Sequence, residues 1–67
     1  MTTRMCAFIA QSLHVEEAVQ RAVQACNDWF VAKVLEDKRI GVESTHIATH
    51  KLSDNYAHII TLLYHET

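Results

Sequence analysis

The sequence predicts an α+β fold in the order β-α-β-β, a three-stranded sheet packed on one long amphipathic helix. Three observations carry that expectation. Apolar residues recur at spacings of three and four between Val15 and Val34, two runs rich in β-branched and apolar residues follow residue 40, and a continuous apolar run precedes the helix.

The first element, Arg4 to Gln11, contains Met5-Cys6-Ala7-Phe8-Ile9-Ala10, the pattern of a strand covered on both faces. A break at Gln11-Ser12 leads to the helix, expected over Leu13 to Leu35. Val15, Val19, Ala22, Cys26, Trp29/Phe30 and Val34 draw one apolar stripe, while Glu17, Arg21, Gln24, Asp28 and Lys33 fall mostly on the other side. Ser12 is placed to cap the helix start, with Glu16 and Glu17 against the positive end of the helix dipole. Lys33, Lys38 and Arg39 suit the C-terminal end. After a second break at Glu36-Asp37-Lys38-Arg39, the segment Ile40 to Lys51 carries Ile40, Val42, Thr45, Ile47 and Thr49. The segment Tyr56 to His65 holds Ile59-Ile60-Thr61-Leu62-Leu63-Tyr64, and Leu52-Ser53-Asp54-Asn55 between them has turn chemistry, so the two form an antiparallel hairpin.

Strands one and two then run in the same direction, because a helix returns the chain between them, with a right-handed crossover expected. The closing strand is the most continuously apolar and belongs in the middle, giving the order 1-3-2. One helix covers only one face of three strands, yet the closing strand is apolar at both parities: Ile59 and Leu63 point one way, Ile60 and Leu62 the other. The first strand opposes Phe8 to Met5 and Ile9 in the same manner. A second apolar face on so small a chain marks an interaction surface, and the expectation is a homo-oligomer built through the sheet face or an edge strand.

Composition sets the limits. Sixty-seven residues make one domain, 1–67, and a chain of this size buries only about 60% of the surface its unfolded form exposes. Apolar residues are 49% and charged residues 21%, which excludes a disordered tail. A net charge of −2 gives no reason to expect a duplex-DNA binder held by phosphate neutralisation. Cys6 and Cys26 are too few for a disulfide framework, have no CxxC partner, and sit in apolar runs where a thiol packs as a small hydrophobe. The apolar stretch ending at Gln11-Ser12 is too short to span a bilayer, and Met1 to Met5 lacks a basic region followed by a small-residue cleavage site. A cytosolic location and no membrane partner are expected.

Five histidines, His14, His46, His50, His58 and His65, are the compositional oddity, and charging all of them would move the net charge from −2 to +3. On a strand His46 and His50 share a face but stand about 13 Å apart, too far to share a zinc ion. His50 and His58 face each other across the hairpin with a three-residue loop, and lie on opposite faces with a two- or four-residue loop. No metal site and no cofactor are expected. With one glycine there is no phosphate-cradling loop, and neither G-x-S-x-G nor H-E-x-x-H occurs, so no catalytic residue is assigned and the protein is not expected to be an enzyme. The candidate ligand-binding residues are His46, His50, Tyr56, His58 and Arg39: polar aromatics to meet a ring and a guanidinium to meet an anionic group. Trp29 and Phe30, though able to stack a ring, are expected in the helix core.

The helix segment Ala25-Cys26-Asn27-Asp28-Trp29-Phe30, the Thr/Ile-rich strand and the closing Ile59-Ile60-Thr61-Leu62-Leu63-Tyr64 resemble small uncharacterised β-α-β-β proteins of bacterial sporulation and phage genomes, over most of the chain. That resemblance implies a binding role, either sequestering a host signalling nucleotide or capping a bacterial defence protein. The element order is also similar to that of the dodecins, oligomers that store flavin against a Trp on the second strand; here the only Trp is Trp29, in the helix stripe.

Overall fold

The computed structural model describes residues 2–67 and runs β1 (Arg4–Ser12), α1 (Val15–Leu35), β2 (Ile40–Lys51), β3 (Tyr56–Glu66). The strands form one sheet in the order β1-β3-β2, with both outer strands antiparallel to β3. The β-α-β-β class and the central place of the closing strand therefore hold. β3 takes the middle, where its apolar stretch Ile59 to Tyr64 has a strand on either side; β1 is apolar at both parities as well, from Met5 to Ala10, and lies at an edge.

The pairing separates the two parities. Cys6, Phe8 and Ala10 lie beside Leu62, Ile60 and His58, and this set faces α1. The opposite set pairs Met5 with Leu63 and Ile9 with Ile59 on the face away from the helix. On the helix side Ala18 and Ala22 are fully buried, and Ile60, Leu62 and Tyr64 nearly so. The two alanines let the helix backbone approach the sheet closely. Ala18 is absent from the apolar stripe read along the sequence, because an alanine adds little to a hydrophobic pattern although it decides where the helix sits. Towards the helix C-terminus the gap widens and Trp29 fills it, edge-to-face with Phe8, Phe30 and Tyr64 at ring separations of 5.8, 5.0 and 4.9 Å. Val34, expected in the stripe, is 71% exposed: one turn beyond Phe30 it has rotated away from the sheet.

The helix ends differ from expectation at one side only. His14 occupies the cap position with no side-chain cap bond. Ser12 is the last residue of β1, and its Oγ accepts the N–H of His14 at 3.3 Å, so it tightens the turn instead of capping the helix. At the other end Lys38 N–H donates to the Lys33 carbonyl and Asp37 N–H to that of Val34, with Asp37 at φ 59°. This is a Schellman stop in which an aspartate takes the left-handed position usually given to glycine.

α1 packs chiefly on β1 and β3, and of β2 only Ile40, at its start, is packed against the core cluster among the described residues. Consequently β2 has no buried residue, and Val42 and Ile47, whose register places them on the helix side, stay 44% and 59% exposed. The chain is accordingly open. Its radius of gyration is 13.3 Å, against about 11 Å for a compact domain of this length. Its accessible surface is 4804 Å², against about 4300 Å² for a monomer of its mass.

Candidate functional site

The open sheet face can be read row by row from the pairing. Gln11, Ala57 and His50 form one row; Ile9, Ile59 and Ala48 the next; then Ala7, Thr61 and His46; then Met5, Leu63 and Ser44. Past a bulge that leaves Glu43 out of the ladder, His65 pairs with Gly41. His65 Nε2 contacts Glu43 Oε1 at 2.8 Å, and Thr3 Oγ1 donates to Glu43 Oε2 at 3.2 Å. These rows hold an apolar centre, two imidazoles at one margin, a third imidazole (His65) beside a single carboxylate at one end, and no lysine or arginine.

Of the five candidate ligand residues, only His46 and His50 share this face. The hairpin loop is Leu52 to Asn55, four residues, with Lys51 opposite Tyr56; His50 therefore meets Ala57 while His58 meets Thr49 on the other face. His58 is 6% exposed, its Nδ1 2.7 Å from Thr49 Oγ1, a contact that satisfies a polar ring beneath the helix. Tyr56 lies half-buried at the end of β3, where Leu13, His14, Val15 and Glu16 form an open concavity with it. A second depression beside it is lined by Ser12, Leu13, His14, Glu17, Arg21 and Asn55. Arg39 stands at the far end, where its backbone N–H and C=O bond those of Thr67, with the twelve residues of β2 between it and the hairpin loop. A single chain thus does not gather the five residues into one site. Trp29 and Phe30 are half-buried against the core cluster, on the side of the helix where they were expected, and Lys33 Nζ lies 5.6 Å from the Trp29 ring.

One polar cluster escaped the sequence reading. Glu66 is 6% exposed at its side chain, with Lys33 Nζ beside its Oε1 and Arg4 and Lys38 at 3.1 and 3.6 Å from its Oε2. The hydrogen bond from Lys33 holds the Glu66 carboxyl below its ordinary range; burial opposes that, and the charges of Lys33, Lys38 and Arg4 reinforce it. The same bond raises Lys33. Three elements meet here, and no sequence spacing links residues 4, 33, 38 and 66. Cys6 and Cys26 are free thiols packed against the core, both pushed up mainly by burial, which disfavours thiolate chemistry.

Among the described residues no group of three or more His, Cys, Asp and Glu is arranged to hold a metal ion, and no helix is long and apolar enough to cross a membrane. Comparison with known proteins gives no match: no family model, no curated protein and no solved structure is similar to this chain.

Proposed function

We propose that the working unit is a homo-oligomer that binds, and does not transform, a small anionic, ring-containing ligand such as a nucleotide signal, held between subunits in the cytosol. The observation that supports this reading most is the uncovered sheet face. Met5 and Ile9 are 71% and 62% exposed beside Leu63, with His46 and His50 at the margin and no lysine or arginine in those rows. An apolar patch of this kind on an open, surface-rich chain calls for a partner surface. Imidazoles at its margin supply ring faces and N–H donors to a ligand caught at the seam.

The test is native mass spectrometry of the protein as purified. An oligomer with a fixed extra mass per subunit pair is expected, and that mass should disappear when His46 and His50 are both replaced by alanine. A bare monomer at micromolar concentration overturns the reading.

A second reading has its own observation. β2 offers an unpaired edge, which suits an interaction protein that docks on and blocks a bacterial partner by strand addition. In that case His46 and His50 are dispensable and the ligand mass is absent. Flavin storage of the dodecin type has less support, since Trp29 lies on the helix and its ring packs edge-to-face on Phe8, Phe30 and Tyr64.

A further inference from the structure

The open sheet face is complementary to itself when turned end for end. Along the strands its five rows run polar, apolar, small, apolar, polar. Ala7, Thr61 and His46 form the middle row. Ile9 and Ile59 stand on one side of it with Ala48, and Met5 and Leu63 on the other with Ser44. The hairpin end carries Gln11 and His50, and the far end carries His65 with Glu43 and Thr3. Reversing a copy about the middle row therefore lays apolar row on apolar row and polar end on polar end. The two ends also differ in kind. Glu43 brings the one carboxylate of the face, on a side chain 40% exposed, whereas Gln11 and His50 bring N–H donors.

We infer that two copies of this chain pack face to face through this sheet, strands reversed, about a two-fold axis at the row of Ala7, Thr61 and His46. The inference rests on the reading that the working unit is an assembly, and it names the surface and the orientation that build it. Ile9 then lies over the partner's Met5, and Ile59 over the partner's Leu63. The donors of Gln11 and His50 lie over the end that holds the partner's Glu43, and symmetry repeats this at the other end. The alternative two-fold, with strands running the same way, gathers both carboxylates at one end and leaves the donors together at the other. Charge thus selects the reversed arrangement.

The size of the face suits a second copy. Three strands about 4.8 Å apart and five rows about 6.8 Å apart make a surface of roughly 14 by 30 Å. The accessible surface of the chain, 4804 Å², exceeds that of a compact monomer of its mass by about 500 Å². Covering that much on each of two copies buries about 1000 Å² in all, the lower bound of a specific interface, and sets the affinity in the micromolar range. A nucleic acid or an anionic membrane would find no lysine or arginine in these rows to meet its charge. The axis also brings His46 to the partner's His46, at the margin of the seam because β2 is an outer strand. The ring-containing ligand proposed above gains there a seat between two imidazoles that one chain does not provide.

Sedimentation velocity on the intact chain, on Met5→Lys and on Ile9→Glu tests this, with far-UV circular dichroism confirming that each variant folds. Both side chains are exposed in the single chain, so either charge costs the fold little. In the dimer each single variant buries an unpaired charge at two symmetric contacts and should raise the dissociation constant by at least about tenfold. An equimolar mixture of the two variants sets the introduced lysine over the introduced glutamate at one contact and leaves Ile9 over Met5 at the other. It should recover association to within about threefold of the parent. Within one chain the two positions are about 13 Å apart, so recovery reports pairing between copies. Val31→Lys, exposed on the helix, should leave the dissociation constant unchanged. Single variants as tightly associated as the parent, or a mixture that does not recover, overturn the reversed face packing while the assembly reading stands. A parent chain that stays monomeric overturns both. A dimer that follows the expected pattern but carries no ligand mass upholds the packing and overturns the ligand-binding reading.

Discussion

β3 and β2 are neighbours of almost equal length, and they differ in what covers them. β3 buries Ala57, His58, Ile60, Leu62 and Tyr64, whereas β2 buries nothing. The helix makes the difference. Its close-approach residues, Ala18 and Ala22, seat it over β1 and β3, and one helix about 10 Å across spans two strands spaced about 4.8 Å apart, not three. In a single chain β3 is core and β2 is held mainly by its backbone ladder. The lesson is that strand propensity and strand burial are separate properties: the β-branched content of β2 makes it a strand, yet only Ile40 at its start packs against the core.

The largest effect that sharpens this contrast lies in the covered region. Leu62→Ala, at a side chain 3% exposed, should destabilise by about 2–5 kcal/mol, enough to unfold a chain of this size at room temperature. Ile47→Ala on β2 should lower the stability of the isolated chain by less than about 1 kcal/mol, because that side chain is already 59% exposed. Urea denaturation of both variants over a range of protein concentrations measures the gap. An Ile47→Ala loss as large as that of Leu62→Ala, and growing with concentration, would mean that β2 is covered in solution.

Next in size is the histidine contrast. His58→Ala leaves Thr49 without its buried partner and opens space beneath α1, so a loss of about 1–2 kcal/mol is expected. His46→Ala and His50→Ala, on the open face, should stay within about 0.5 kcal/mol for the single chain. Urea denaturation of the three variants in one buffer gives the comparison.

The cation cluster at the end of β3 predicts an acid limit. Glu66 is held below the ordinary carboxylate range in the folded state, so the folded protein binds its proton less readily than the unfolded chain. The stability it contributes is therefore complete above the ordinary carboxylate value and is lost as pH falls through its lowered one. Thermal unfolding from pH 6 down to pH 2 should show this fall, and Glu66→Gln should flatten it. An unchanged acid slope in Glu66→Gln would assign acid sensitivity to other carboxylates.

The smallest expected change is favourable. Asp37 holds φ 59°, a region that an L-residue with a Cβ enters at a cost, so Asp37→Gly should stabilise by about 0.5–1 kcal/mol. A shift of the urea midpoint to higher concentration at unchanged slope checks it. A destabilised Asp37→Gly would show that the aspartate side chain contributes more at this turn than its backbone strain costs.

The sequence by itself determined the four elements, their order, the middle place of β3 and the existence of a second apolar face. Period and parity are local properties, legible from residue spacing alone. The break at Glu36 to Arg39 and the bounds of Ile40–Lys51 were equally clear, because charged and turn-forming residues stand directly against β-branched ones. Only the tertiary structure decided which parity faces the helix, since Ile59/Leu63 and Ile60/Leu62 are equally apolar. It also fixed the four-residue loop that parts His50 from His58, the lateral seat of α1 that leaves β2 uncovered, and the meeting of Arg4, Lys33 and Lys38 on Glu66. Each of these depends on how elements far apart in the chain fit together in three dimensions, a matter of side-chain volume and helix width to which a one-dimensional pattern is blind.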